Sequence, residues 1–262
     1  LHAGDDGRPA ACRLLVAAAA PGIMAAPSAA PEASRRHAVR AAMTLIIFDC
    51  DGVLVDSEPI AGDAMAAMMT ALGHPMTRAD ALATFTGLAL ADVNARASAL
   101  LGAPIPAEVG ERYGAALLAR FRQELKPIAG VREALAALPA RRCVASSSAP
   151  ERLRLSLAVT GLLPLFEPHV FSAAEVPRGK PAPDLFLHAA ARAGAVPRDC
   201  IVIEDSPLGI AAARAAGMAA IGFVGGGHAT AASAERLTAA GADRVIASMA
   251  ELPPLIATLA AP

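Results

Sequence analysis

Short apolar runs alternate with helix-like segments along most of the chain. Patterns typical of buried strands occur at about 45–49, 143–146, 169–171, 200–204, 219–223 and 244–246. Helical patterns follow or separate them at about 57–72, 131–138, 150–159, 184–193 and 207–216. Continuous apolar runs are typical of strands buried on both faces, and strands that alternate with helices indicate a parallel sheet. The pattern therefore predicts an α/β fold with helices on both faces of a parallel sheet.

Residues 59–125 depart from this alternation because they read as helices only. Breaks are predicted near 73–75 and 102–104, where Gly and Pro interrupt the helical pattern. The segment lies between the first and second predicted strands. We expect it to form a helical cap at the sheet edge, able to close over a site and exclude water. The core then consists of residues 43–58 and 126–262.

Residues 1–42 are rich in Ala, Pro and Arg and show no steady period. They faintly resemble a signal or transit peptide. Met43 falls just before the first predicted strand. We expect residues 1–42 to be a disordered leader, added upstream of the folded chain by the choice of start codon.

Composition narrows the function classes. The 262 residues are 55% hydrophobic, which is enough for a full core, and the formal net charge is −1. The chain has no basic excess, no Trp and a single Tyr, which argues against nucleic acid as a partner. No apolar stretch reaches the roughly 18 residues of a membrane span. We expect a cytoplasmic monomer or weak homodimer that does not bind membranes.

Two carboxylates directly follow the first strand. Asp49 and Asp51 come after an apolar run, and Gly52 beside them allows a sharp turn and a close approach to a ligand. Open α/β sheets bind their ligands at this end of the strands. One carboxylate there can attack an electrophile while its neighbour transfers a proton.

Other polar residues follow later strands. Ser146 and Ser147 end the second strand, and the pair Glu204 and Asp205 ends the strand at 200–204. Lys180, one of two lysines in the chain, lies between them in a loop stiffened by Gly and Pro. We expect these groups to meet at one sheet edge. The acidic oxygens suit Mg²⁺, while the serine, the lysine and nearby N–H groups suit a phosphate.

Four ordered motifs resemble the haloacid dehalogenase superfamily, in its branch of phosphatases and β-phosphoglucomutase-like enzymes. They are DCDGVLVDSE at Asp49–Glu58, the strand that ends in Ser146, GKPAPD around Lys180, and EDSPLGI at Glu204–Ile210. The resemblance extends from Met43 to about Leu255. It implies a Rossmann-like core with an inserted helical cap.

The resemblance also implies roles for the residues that match these motifs. Asp49 resembles the nucleophile that forms an aspartyl-phosphate, and Asp51 resembles the general acid and base. The implied Mg²⁺ ligands are Asp49, the backbone carbonyl of Asp51, Asp205, and Glu204 directly or through water.

Substrate contacts are implied in the same way. Ser146 and Lys180 resemble the phosphate clamp, helped by N–H groups near Gly52 and Ser147. Gly87, in a loop similar to the one that lines the site in relatives, is a candidate for approach to the substrate.

The resemblance implies a Mg²⁺-dependent phosphatase that acts on a small phosphorylated metabolite, a sugar or sugar-acid phosphate or phosphoglycolate. Asp51 argues against a dehalogenase, because family dehalogenases lack this second aspartate. The alternative is a sugar-phosphate mutase. Ala61 and Leu90 stand where mutases carry a His and a cap Arg, although a shifted alignment offers Arg78 or Arg96. A non-catalytic phospho-ligand binding module is the third possibility.

Two further segments have open interpretations. Glu58 either touches the substrate or water, or favours the start of its helix as an acid in the first turn. The glycine-rich segment Gly225–His228 lacks the Lys-Ser/Thr ending of a phosphate loop, so we expect a flexible connection there.

Overall fold

A parallel sheet of six strands forms the centre of the computed structural model, which describes residues 45–88, 90–138 and 140–259. The strands are β1 (Leu45–Phe48), β2 (Arg141–Ser146), β3 (Val170–Ser172), β4 (Cys200–Glu204), β5 (Ala219–Phe223) and β6 (Arg244–Ile246). Their order is β3-β2-β1-β4-β5-β6, and every neighbouring pair is parallel. The predicted α/β fold with a Rossmann-like parallel sheet is confirmed.

Ten α-helices surround or precede these strands in the described ranges. They are α1 (Glu58–Ala71), α2 (Arg78–Phe85), α3 (Leu90–Leu101), α4 (Ala107–Glu124), α5 (Val131–Ala137), α6 (Pro150–Val159), α7 (Asp184–Arg192), α8 (Pro207–Ala215), α9 (Ser233–Ala239) and α10 (Leu252–Leu259). Most boundaries lie within one or two residues of the predicted ones. None of these helices is both long and apolar enough to cross a membrane.

The central strand shows why a continuous apolar run forms a buried strand. Successive side chains point to opposite faces of the sheet. Ile46 and Phe48 of β1 enter the core on one face, with residues of α5, α6 and α10, whereas Leu45 and Ile47 pack on the other face against α7 and α8. All four are at most 1% exposed, so neither face of β1 has room for a polar residue.

Helices α1 to α4 form an insertion between β1 and β2, which we call the helical insertion (residues 58–124). It has an apolar cluster of its own, built from Met65, Ala66, Met69, Ala81, Phe85 and Ala97. Thr77 begins α2 with a capping box, in which its side chain and that of Asp80 each accept from the other's backbone N–H.

The two chain connections to the helical insertion run side by side. The Asp56 N–H donates to the Lys126 carbonyl at 3.0 Å, and the Ile128 N–H donates to Leu54 at 2.9 Å. The division into a cap at 59–125 and a core remains a prediction, although it falls next to this pair of connections. The predicted leader, residues 1–42, lies outside the described residues.

The strand order reverses at the C-terminal end of β1. The connection after β1 leads to β2 on one side of it, and the connection after β3 crosses to β4 on the other side. Register pairs Phe48 with Val144 on one side and with Ile203 on the other. The residues that follow these positions therefore meet where the strand order reverses, which is where open α/β sheets bind ligands.

Candidate active site

A buried lysine joins two of the strand ends. Lys180, in the loop before α7, donates from Nζ to Asp49 Oδ1 at 2.7 Å and to Glu204 Oε1 at 2.6 Å. It also donates to the Ala145 carbonyl at 3.2 Å. Burial opposes the charged ammonium, but Asp49 and Glu204 outweigh it and raise the pKa of Lys180. The lysine therefore stays charged and fixes two carboxylates from neighbouring strands.

Asp205 completes what we call the inner charge cluster (Asp49, Lys180, Glu204 and Asp205). One carboxylate oxygen from each of Asp49, Glu204 and Asp205 lies within 4.8 Å of the others. Burial raises the pKa of Asp49 well above its usual value, with Lys180 opposing and the neighbouring acids adding to the rise. Burial also raises the pKa of Asp205, although its bond with His228 opposes this. Three buried acids facing a single lysine can hold a divalent cation, and hard oxygen donors suit Mg²⁺.

His228 is a site residue that the sequence did not reveal. Its Nε2 lies 3.1 Å from Asp205 Oδ2, and the ring is largely buried. Burial opposes protonation of this imidazole, but the bond to Asp205 raises the pKa of His228 above its usual value. His228, the last residue of this glycine-rich segment, therefore packs against the inner charge cluster, and the expected flexible connection at Gly225–His228 stays a prediction. The contact between His228 and Asp205 depends on tertiary packing, so the spacing of residues along the chain gives no signal of it.

Gly52 makes room for this contact. It has a positive φ of 75°, and a Cβ there would fall on Asp205 Oδ2 and lie 2.8 Å from His228 Cε1. Its N–H donates to the Val55 carbonyl at 2.8 Å. The tight turn therefore uses the Gly52 N–H itself, and the expected phosphate contact through N–H groups near Gly52 stays a prediction.

The serines after β2 form one wall of the site. Ser146 is buried, and its Oγ accepts from the Ser148 N–H at 3.1 Å. The Ser148 carbonyl in turn accepts from Ser172 Oγ at 2.7 Å. Ser146 and Ser147 both line the cavity that contains Asp49, so this turn borders the same space as the acids.

Asp51 turns away from Asp49 and takes part in a second group of residues. Its carboxylate accepts from Ser57 Oγ at 2.6 Å, from Ser148 Oγ at 2.6 Å and from Arg152 Nη2 at 2.9 Å. Burial favours the neutral acid, but the Arg152 guanidinium and these bonds outweigh it and hold the pKa of Asp51 below its usual value. In this arrangement Asp51 is a carboxylate.

Glu58 lies in the same group, which we call the outer polar cluster (Asp51, Ser57, Glu58, Ser148 and Arg152). Its Oε2 accepts from Thr86 Oγ1 at 3.0 Å, which ties the start of α1 to the end of α2. Burial, with the charges of Asp51 and Asp205, raises the pKa of Glu58 to about 7. Of its two interpretations, the structure favours a residue of the site, because the side chain lines the cavity.

One cavity of about 150 Å³ joins the two clusters. The sequence-predicted residues that line it are Asp49, Asp51, Gly87, Ser146, Ser147, Lys180, Glu204 and Asp205. Gly87 has a φ of 81°, and a Cβ there would lie 2.9 Å from Ser206 Cβ, so this loop of the helical insertion meets the core. Side chains of α1, α2 and α4 close the cavity from the other side.

Sequence reasoning missed Arg152 and Ser148 as site residues. Arg152 also lines the cavity, from the first turn of α6. By contrast, Arg78 and Arg96, the arginines offered by a shifted mutase alignment, are exposed. An arginine in the first turn of a helix was the available signal, because a cation is unfavourable there without an anion beside it.

Known proteins are similar to this chain in sequence and in fold. The family described as haloacid dehalogenase-like hydrolase matches residues 43–217. A 6-phosphogluconate phosphatase from Escherichia coli is 31% identical over 70% of this chain and 83% of its own length. A phosphoglycolate phosphatase from Chromobacterium violaceum is 33% identical over 79% and 93%. The crystal structure of a haloacid dehalogenase-like protein of unknown function from Agrobacterium tumefaciens is 41% identical, with a TM-score of 0.74, and covers 83% of this chain and 99% of its own.

Proposed function

Because the chain belongs to the haloacid dehalogenase-like hydrolase family and is a phosphoric monoester hydrolase, we propose that it removes phosphate from a small phosphorylated metabolite by way of an aspartyl-phosphate on Asp49. The substrate class is a sugar phosphate, a sugar-acid phosphate or phosphoglycolate. The observation that carries this proposal is the inner charge cluster at the point where the strand order reverses, with Lys180 Nζ 2.7 Å from Asp49 Oδ1.

Asp49 is the nucleophile in this proposal. Its carboxylate attacks phosphorus, the bond between phosphorus and the ester oxygen breaks, and the phosphoryl group is transferred to Asp49. Lys180 supports this role in two ways. Its charge opposes the rise that burial produces in the pKa of this carboxylate, and its hydrogen bond fixes the orientation of the carboxylate.

Asp51 supplies and removes the proton. It protonates the leaving ester oxygen, which departs as an alcohol, and then accepts a proton from the water that attacks the aspartyl-phosphate. Both products, the alcohol and inorganic phosphate, are then released. This role requires the Asp51 side chain to leave Ser57, Ser148 and Arg152 and to take up a proton from solvent, because in the present arrangement it is a carboxylate engaged with them. The proton taken from the attacking water then restores the acid for the next turnover.

The phosphate dianion binds between the serine turn and the lysine. Ser146 Oγ and the N–H groups around Ser147 donate to its oxygens, and Lys180 balances its charge. Gly87 brings the loop of the helical insertion close enough to cover the bound ester. Phosphoryl transfer needs mainly positioning and charge neutralisation, which these groups provide.

We propose Mg²⁺ as the cofactor. Asp49, Glu204 and Asp205 would hold it through side-chain oxygens, and the Asp51 backbone carbonyl would be a further ligand. When bound, the ion supplies the positive charge that offsets the phosphate and the acids around it. His228 positions Asp205 for this role through their 3.1 Å contact.

Hydrolysis is preferred over the mutase reaction. A mutase must hold a second phosphate from the cap and keep water from the phosphoenzyme. Ala61 lines the cavity at the position where mutases carry a histidine, and Arg78 and Arg96 face solvent. Incubation with a sugar bisphosphate, followed by NMR for isomerised sugar, separates the two reactions.

The test is phosphate release from a panel of phosphate esters with the wild type and with Asp49→Asn. We expect the variant to lose at least about 10³-fold in kcat while its circular dichroism and unfolding transition match those of a folded protein. Chelation of divalent cations should abolish wild-type turnover, and Mg²⁺ should restore it. Unchanged turnover in Asp49→Asn would reject the proposed nucleophile.

A further inference from the structure

We propose that Arg152 binds a second anionic group of the substrate, a carboxylate or a second phosphate on the organic half of the ester. The inference rests on the proposed function and specifies its substrate class. It follows from one juxtaposition: a largely buried guanidinium faces the cavity, and its partner Asp51 is the residue that must move during the reaction.

Arg152 is held at the boundary between the core and the helical insertion. Its guanidinium lies 5.1 Å from the centre of the Phe121 ring of α4, and its Nη2 contacts Asp51 Oδ1 at 2.9 Å. The side chain is 26% exposed. The Phe121 ring stabilises the guanidinium through one of its flat faces, as is common for arginine beside aromatic rings. The N–H groups at the edge of the guanidinium remain available to polar partners.

The cavity contains few positive charges. Among the described residues that line it, the cations are Lys180 and Arg152. Lys180 is committed to Asp49 and Glu204 by two short contacts. Any negative group of a substrate beyond the transferred phosphate therefore finds its counter-charge at Arg152.

Movement of Asp51 leaves Arg152 without its partner. A buried cation that loses its counter-ion is strongly unfavourable. Glu58 is the neighbouring acid that can compensate, but it already accepts from Thr86, and its raised pKa leaves it only partly ionised near neutral pH. A substrate anion that replaces Asp51 removes this cost, so ligands that carry such an anion are selected over neutral ones.

The guanidinium also has a free donor. Arg152 Nε is buried and has no hydrogen-bond partner in the described part of the chain. A carboxylate or phosphate accepts from two donors of a guanidinium at once, which a single neutral hydroxyl cannot do. An incoming anion can therefore satisfy both Nε and the Nη2 that Asp51 releases.

Matched pairs of esters test this inference. The carboxylate pair is gluconate 6-phosphate against glucitol 6-phosphate, and the bisphosphate pair is fructose 1,6-bisphosphate against fructose 6-phosphate. We expect the wild type to prefer one or both anionic members, and Arg152→Gln to lower the anionic-to-neutral ratio of kcat/KM by about 10- to 100-fold. Arg152→Lys should recover part of the ratio, because lysine restores the positive charge but not the paired N–H donors of a guanidinium.

Arg154→Gln is the matched control. Arg154 lies two residues along the same helix, is 56% exposed and pairs with Glu167 at 2.8 Å on the surface, so its loss should leave the ratio as in the wild type. A wild type that does not discriminate within either pair would overturn the inference. The inference would also be overturned if Arg152→Gln lowered kcat/KM equally for the anionic and the neutral ester of a pair. That result would mean that Arg152 only positions Asp51.

Binding measurements separate failure of this inference from failure of the proposed function. Calorimetry of the same four esters with Asp49→Asn, with and without Arg152→Gln, reports the preference without turnover. If Asp49→Asn binds the anionic esters more tightly and the added Arg152→Gln substitution removes that preference, the inference is supported, even if the wild type hydrolyses none of the esters. A lack of hydrolysis by the wild type would count against the proposed function alone.

Discussion

The inner charge cluster and the outer polar cluster share one cavity but are built differently. In the inner cluster, Lys180 and Glu204 have side chains at most 2% exposed, and their partners come from the ends of adjacent strands. In the outer cluster, Arg152 and Asp51 are 26% and 14% exposed and contact residues of the helical insertion and its connection. The first is fixed by the sheet, whereas the second depends on how the insertion meets the core.

This difference separates two tasks. Strand ends in a packed sheet hold charges within a narrow range of positions, which suits the transfer of a phosphoryl group. Contacts between an insertion and a core can change when the insertion moves, which suits substrate selection. Residues of the inner cluster should therefore govern turnover and stability together. Apart from the proton-transfer residue Asp51, residues of the outer cluster should govern substrate preference and pH response.

The largest expected effect is that of Lys180→Met. Removing the ammonium leaves Asp49 and Glu204 buried without a counter-ion, so the free energy of unfolding at pH 7 should fall by about 3–5 kcal/mol and phosphate release should be lost. Without Lys180, nothing at this position opposes the rise that burial produces in the pKa of Asp49, so the folded variant binds a proton there and its stability should fall further as the pH rises. Urea unfolding without divalent cations, at several pH values, measures this.

Lys126→Met is the control for that experiment. Lys126 is exposed and lies in the connection that leaves the helical insertion, so its loss should cost less than about 0.5 kcal/mol. Equal destabilisation by the two lysine substitutions would remove the distinction between the buried cluster and the rest of the molecule.

Glu58→Gln tests the outer cluster with an intermediate effect. Because the pKa of Glu58 is raised from its ordinary 4.5 to about 7, the folded chain retains a proton between these values that the unfolded chain releases. This group therefore destabilises the fold as the pH rises from about 4.5 to 7. The Gln variant should gain up to about 3 kcal/mol relative to the wild type across this interval.

Unfolding curves between pH 4.5 and 8 in the presence of a chelator measure this difference. Glu108→Gln, an exposed acid in the first turn of α4, controls for loss of an acid at a helix start. If the difference between Glu58→Gln and the wild type does not grow with pH, Glu58 is ionised throughout, and the outer cluster does not differ from ordinary surface acids.

The smallest effect is expected on the outer surface of the helical insertion. Arg78 pairs with Asp63 through two bonds of 2.6 Å, but the side chains are 55% and 34% exposed. Arg78→Ala should cost at most about 1 kcal/mol, less at high salt, with phosphate release unchanged. A large loss of activity in this variant would show that the insertion acts through its surface as well as through the cavity.

Much of the fold was predictable because it depends on local pattern. The apolar run at Leu45–Phe48 has no polar side to turn to solvent, and the run at Cys200–Glu204 was predicted with its observed bounds. The break at Gly73 was visible because glycine and proline end helices. The loop at Thr86–Leu88, which divides α2 from α3, was expected from the family resemblance alone, because the residues around it continue a helical pattern.

The sequence by itself determined which groups follow each strand, and so brought Asp49, Glu204 and Asp205 within 4.8 Å of one another. Parallel strands end at a common edge, so position along the chain is enough to predict such a meeting. Only the tertiary structure decided that Arg152 holds Asp51, that His228 contacts Asp205 and that Glu58 lines the cavity. These contacts join segments that are distant in sequence and have no common period, so packing alone brings them together.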